Sequence, residues 1–161
     1  MKKITPFLWF DNQAEEAANF YTSIFKNSKV LNVARYDEAG AKASGMPEGS
    51  AMTVAFELNG QEFTALNGGP VFKFTEAISF AVNCESQEEV DELWGKLSAD
   101  PAAEQCGWLK DKYGLSWQIV PTVLVELLSD PDPEKSKRVM EAMLQMKKID
   151  IATLKQAYEQ Q

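Results

Sequence analysis

Residues 4–10 read Ile-Thr-Pro-Phe-Leu-Trp-Phe, an almost unbroken apolar run that predicts a strand covered on both faces. Asp11 and Asn12 follow as candidate caps. Ala17, Phe20, Tyr21 and Ile24 then fall at helical spacing, in a helix expected over 14–25. Asn27-Ser28 breaks that periodicity, 29–36 reads as a second strand, and 37–50, rich in Gly, Ala, Ser and Pro, reads as a mobile loop. Segments 52–58 and 61–66 flank Asn59-Gly60, a strong hairpin signal. The order is β-α-β-β-β, closed by the tight crossing Asn67-Gly68-Gly69-Pro70.

The pattern then returns. Glu15-Glu16-Ala17-x-x-Phe20-Tyr21-x-x-Ile24 reappears as Glu88-Glu89-Val90-x-x-Leu93-Trp94-x-x-Leu97, displaced throughout by 73 residues (88 minus 15, 97 minus 24). A strand over 77–83 precedes this second helix, Ser86 is placed to cap it with Glu89 at the capping-box position, and 107–110 with 115–120 form a hairpin around residues 111–114. The segment 98–105 contains Asp100-Pro101, so the strand matching 29–36 is expected to be cut down or missing. Beyond Pro121 the period is helical: 123–128, a segment capped by Asp132 with Pro133 at its first position, and 151–160. The expectation is one α+β domain. Two tandem βαβββ units, 1–69 and a shortened 70–121, build a curved mixed sheet, and 122–161 forms a C-terminal helical extension. Met140, Met143, Leu144 and Met146 read as core before partner surface.

Composition narrows the function classes. With 161 residues and a net charge of −8, the chain is long enough to bury a core, yet it has no concentrated basic surface for a phosphate backbone. No nucleic-acid partner is expected. No apolar run approaches the roughly 20 residues of a membrane span, and Met1-Lys2-Lys3 leads straight into a strand, so a cytoplasmic protein is expected. Cys84 and Cys106 fit no metal spacing and read as reduced thiols. Histidine is absent altogether, which removes Ser-His and Cys-His nucleophile pairs and all imidazole ligands. No G-x-G-x-x-G follows a strand, and Gly68-Gly69-Pro70 lacks the Lys and the context of a phosphate loop.

Strand alternation points to a pocket. If Ile78, Phe80 and Val82 face the helices, then Ala77, Ser79, Ala81 and Asn83 face away from them. Likewise Leu115, Trp117 and Ile119 pack inward, and Ser116, Gln118, Val120, Glu62, Thr64 and Leu66 take the open side. Such a face forms either a ligand pocket or a surface turned to solvent or to a second copy. Trp108 and Phe72 are candidate aromatic walls, whereas Trp9, Trp94 and Trp117 are expected in the core. Cys106, with Lys110 further along the same strand, is a candidate nucleophile, although an inert half-buried thiol fits as well. Glu62 is a candidate base.

The duplicated unit resembles the vicinal oxygen chelate superfamily of glyoxalase I, bleomycin-resistance proteins and extradiol dioxygenases. The runs Phe63-Thr64-Ala65-Leu66-Asn67-Gly68-Gly69-Pro70, Ile78-Ser79-Phe80-Ala81-Val82-Asn83-Cys84 and Gly107-Trp108-Leu109-Lys110-Asp111-Lys112-Tyr113-Gly114-Leu115-Ser116-Trp117-Gln118 are similar to its PhnB-like branch, whose members are often labelled demethylubiquinone methyltransferase-like. Metal-dependent members hold a cation on the first and last strand of each unit. Carried over, those positions are Pro6, Thr64, Ser79 and Gln118, none an imidazole or a carboxylate, so neither a metal nor another cofactor is expected. The resemblance implies a small-molecule binding protein whose ligand meets Thr64, Ser79, Gln118, Trp108 and Phe72. The alternative is a metal-independent lyase, isomerase or transferase using Cys106 or Glu62. Relatives commonly pair, so a two-fold homodimer is expected, with the apolar stripe of Val139, Met143, Leu144, Ile151, Leu154 and Tyr158 either joining two chains or closing one.

Overall fold

The computed structural model describes residues 3–160. The chain divides into two compact units, Met1–Lys73 and Phe74–Gln161. The first holds β1 (Phe7–Phe10), α1 (Ala14–Ile24), β2 (Lys29–Arg35), α2 (Glu38–Ser44), β3 (Ala51–Leu58) and β4 (Gln61–Asn67). Its sheet runs β1-β4-β3-β2, with β1 parallel to β4 and the other neighbours antiparallel. A single helix, α1, covers one face: Tyr21 packs on Phe56 with ring centroids 6.2 Å apart, and Phe56 stacks on Phe63 at 5.4 Å. Leu8, Phe10, Val54 and Ala65 complete this core.

Four local expectations change here. The first strand is not covered on both faces: Leu8 and Phe10 enter the core while Phe7, 61% exposed, and Trp9 take the other side. Trp9 is therefore not a core residue; its ring meets Phe72 edge-on at 4.9 Å and its Nε1 donates to the Gly69 carbonyl. Neither Asp11 nor Asn12 caps α1, since Gln13 holds the N-cap position without a side-chain bond and the Ala14 N–H donates instead to Asn67 Oδ1 at 2.8 Å, from the far end of β4. The supposed loop after Tyr36 contains α2, because Asp37 accepts from the Gly40 N–H, alanines favour the turn, and Gly45 closes it in the left-handed region at φ 78°.

The second unit begins with β5 (Ser79–Cys84), α3 (Gln87–Leu97), β6 (Trp108–Lys110) and β7 (Ser116–Pro121), in a sheet ordered β5-β7-β6. Between α3 and β6 the described chain holds only a short 3₁₀ turn, Pro101–Ala103, opened by Asp100, so the uncertain strand is missing from this unit. Ser86 caps α3 as expected, but Glu89 reaches the N–H of Glu85 rather than that of the cap residue. Ile78 lies before β5 and is 69% exposed, not packed under the helix. Trp94 and Trp117 are buried. Asp111, itself buried, holds the hairpin by accepting from the Tyr113 and Leu115 N–H groups and from Trp117 Nε1.

Three helices follow, α4 (Thr122–Leu128), α5 (Pro133–Leu144) and α6 (Ile151–Glu159). They enclose a core of Leu124, Val139, Ile149 and Leu154, flanked by Met143, Met146 and Tyr158. The segment between α5 and α6 is strapped to the sheet: the Cys106 N–H donates to the Met146 carbonyl, and the Gly107 N–H to that of Lys147. Gln87 bonds both the Ile149 carbonyl and the Ile151 N–H, and Lys148 pairs with Asp91 at 2.8 Å. Much of the apolar stripe is thus closed within its own unit, but Leu144 of that stripe is exposed, and so is Met140; neither takes the core place expected of it. Among the described residues no helix is long and apolar enough to cross a membrane.

Asn67 supplies the sharpest stability test. Its Oδ1 accepts from Ala14 and its Nδ2 donates to the Ala51 carbonyl at 3.0 Å, both in buried surroundings. Asn67→Ala leaves a buried donor and a buried acceptor unmet, each costing about 1–3 kcal/mol. Urea denaturation should register a loss of roughly 2–4 kcal/mol. A loss below about 0.5 kcal/mol, the scale of an ordinary surface change, would show that water replaces the amide.

Candidate functional site

Each sheet keeps a face turned away from its helix. In the first unit that face carries Glu62, Thr64 and Leu66 of β4, all half-buried, while Phe63, Ala65 and Asn67 are buried behind them. Phe7 lies beside Thr64 and Trp9 beside Leu66. Phe72 stands against Trp9. Glu57 sits directly across from Glu62 in the β3–β4 register, a like-charge pair that strand alternation along one segment does not reveal.

In the second unit the open face is built in rows. Lys110, Ser116 and Ser79 form one row across β6, β7 and β5, and Trp108, Gln118 and Ala81 form the next. Gln118 Nε2 donates to Ser79 Oγ at 2.9 Å, joining two of the residues expected to bind ligand, and Trp108 stands beside Gln118. Thr64 and Phe72 belong to the first unit.

Register also corrects the duplicate positions. Helices α1 and α3 are displaced by 73 residues, but Phe7 pairs with Thr64 as Ala81 pairs with Gln118, so the first strands are displaced by 74 (81 minus 7). The connection from strand to helix is one residue shorter in the second unit: 85–86 against 11–13. The counterpart of Ser79 is therefore Thr5, not Pro6, whose carbonyl instead accepts from the Thr64 N–H in the parallel pairing. Thr5, Thr64, Ser79 and Gln118 offer only hydroxyl and amide groups, a donor set that does not fit a tightly held divalent cation. Among the described residues no cluster of three His, Cys, Asp or Glu forms a metal cage.

Two polar groups on this face stand in roles that strand alternation does not assign: Ser116, expected only on the open side, and Lys110, expected beside Cys106. Ser116 is buried, and its Oγ has no hydrogen-bond partner among the described residues. Lys110 forms an ion pair with Glu76, which holds the Glu76 carboxyl below its usual range. Alternation placed Ser116 on the open side, but its lack of a partner depends on its neighbours across the sheet. Glu76 lies outside any strand and gave no signal.

The thiols differ sharply. Cys84 is buried on the helix side, and burial, reinforced by Glu89 and Glu85, pushes its thiol up to about 12. Cys106 is half-buried in the left-handed region at φ 51°, with Gln105 Nε2 3.2 Å from its sulfur. Lys110 turns to Glu76. Titration of native protein with an aromatic disulfide near neutral pH should release one equivalent quickly, from Cys106, and the second only on denaturation. Two equivalents released at similar rates would mean that Cys84 is not shielded by the fold.

Each unit is a sheet with one helix-covered face and one open face. Residues 2–120 match the model of the 3-demethylubiquinone-9 3-methyltransferase family, and the chain belongs to that family, in its PhnB-like branch. It is 42% identical to a putative 3-demethylubiquinone-9 3-methyltransferase, PhnB protein, from Bacillus cereus, over 74% of this chain and 99% of that one, with a TM-score of 0.62. Protein PA1353 from Pseudomonas aeruginosa matches at 17% identity and a TM-score of 0.55, over 75% of this chain and 98% of that one. A glyoxylase/bleomycin resistance protein/dioxygenase domain from Frankia sp. matches at 14% identity and a TM-score of 0.49, over 75% and 92%. Comparison with curated proteins gives no match. Helices α4 to α6 lie beyond the stretch that matches the family model.

Proposed function

We propose that this protein binds small organic molecules, without a divalent metal, through the open sheet face of each unit: Ser79, Gln118 and Trp108 on the second, and Thr64, with Phe72 as an aromatic contact, on the first. The observation that carries this reading is the Gln118–Ser79 hydrogen bond beside Trp108: it fixes two neutral polar groups next to a flat apolar wall, the mixture that small-molecule sites use. Neutral oxygens at the superfamily's four ligand positions support a metal-free site. The methyl transfer named by the family description finds no glycine-rich nucleotide loop in this sequence to support it. A thermal-shift screen of metabolites and planar antibiotics should yield a ligand, and Gln118→Leu should weaken its binding about tenfold by leaving Ser79 unpaired and removing a polar contact. Protein purified without chelator should carry no stoichiometric nickel, zinc, iron or manganese. Finding one of those ions at one per chain, or a ligand indifferent to Gln118→Leu, overturns the reading.

A second reading, metal-independent catalysis by a lyase, isomerase or transferase, rests on Glu62 facing the open side of its sheet, where a carboxylate can act as general base toward a bound ligand. Cys106 is the alternative nucleophile. Turnover of a screened ligand that Glu62→Gln or Cys106→Ser abolishes, with affinity unchanged, selects catalysis; unchanged affinity with no turnover in parent or variants selects binding alone.

We also propose a two-fold homodimer in the cytoplasm. β1 and β5 each end their own sheet, Ile4, Phe7, Val71 and Ile78 are exposed, and an edge strand flanked by apolar side chains is a template for pairing. Both cysteines are free, as a reducing compartment keeps them. Light scattering at micromolar concentration should return twice 18.0 kDa. A single-chain mass would exclude the dimer.

A further inference from the structure

The open face of the second sheet brings together an ion pair, a buried hydroxyl without a partner among the described residues, and a hydroxyl whose proton is not needed by its neighbour. Lys110 on β6 sits beside Ser116 of the central strand β7 and forms an ion pair with Glu76, in the turn that leads into β5. Ser116 is 1% exposed with its Oγ unpartnered among the described residues, an expense that a folded protein seldom keeps without a use. On its other side Ser79 Oγ accepts from Gln118 Nε2, which leaves the Ser79 proton free to be donated. One row thus gathers an ammonium and two hydroxyl donors, and the acceptor now seen on the ammonium is a carboxylate.

We propose that the row Lys110, Ser116 and Ser79 is a latched seat for the carboxylate of a small aromatic acid, with Glu76 holding Lys110 until the ligand's carboxylate replaces it. This rests on the ligand-binding reading above and adds the ligand class. A carboxylate accepts charge-assisted bonds from Lys110 and neutral ones from both serines, satisfying the buried hydroxyl that Glu76 leaves unmet. Trp108 lies two residues from Lys110 on the same face of β6, roughly 7 Å along the strand, where it can cover the ring of an aromatic acid. The chain's net charge of −8 repels anions at long range, so selectivity has to come from this local donor set.

Titration of ¹⁵N-labelled full-length protein with benzoate, and in parallel with the neutral isostere benzamide, tests the assignment. Benzoate should shift the amide signals of Lys110, Ser116 and Ser79 saturably, and benzamide at equal concentration should not. Glu76→Gln should tighten benzoate several-fold by removing the competing carboxylate, and Lys110→Met should weaken it about tenfold or more. Ser116→Ala should weaken it while raising the Tm by a few degrees, because an unpaired buried hydroxyl is lost; a damaged fold would lower both. If both probes shift this face equally, binding stands and the carboxylate seat is wrong. The seat is equally excluded if Glu76→Gln weakens benzoate or if Lys110→Met leaves it unchanged. If neither probe touches this face, the seat falls and the ligand-binding reading loses this surface with it.

Discussion

Asn67 is the constraint on which the first unit depends. Its side chain receives the N-terminus of α1 and grips the start of β3, while its backbone carbonyl accepts from Tyr36 Oη just after β2. One buried residue at the end of β4 therefore fixes the helix, the neighbouring strand and the far strand's exit relative to one another. Gly68 follows because a Cβ there would run into the Trp9 ring. The second unit solves the same problem with a charge: Asp111 gathers two turn amides and an indole inside the hairpin, and α3 keeps its own serine cap.

These devices determine what the open faces present. Because each unit has a single helix layer over its strands, alternate residues are freed from core packing, and polar or aromatic side chains can occupy them without weakening the fold. In the second unit that freedom is used for a connected row of Lys110, Ser116 and Ser79, with Gln118 and Trp108 in the row beside it. The C-terminal helices carry their own core and bind back through Gln87 and Asp91, so that part of the chain stabilises the unit from the side of α3. The Asp91 carboxyl is held below its ordinary range by Lys148 and Gln87, so this tie is complete above about pH 4 and is lost as acid passes through the depressed value.

Local spacing of apolar residues determined the duplicated strand-helix unit and the inward and outward faces of β4 and β7, and residue type alone determined the Asn59-Gly60 hairpin and the caps at Ser86 and Asp132. Three kinds of fact were decided only by tertiary structure. Asn67, not the neighbouring Asp11 or Asn12, supplies the partner for α1, and a capping bond between residues 53 positions apart leaves no local pattern. The connection between strand and helix differs by one residue between units, which turns Pro6 into Thr5 as the partner of Ser79, since a one-residue slip exchanges the faces of a strand. The Lys110–Glu76 pair and the unpartnered hydroxyl of Ser116 arise from which strands lie side by side, a property of sheet order and register that no single segment of the chain encodes.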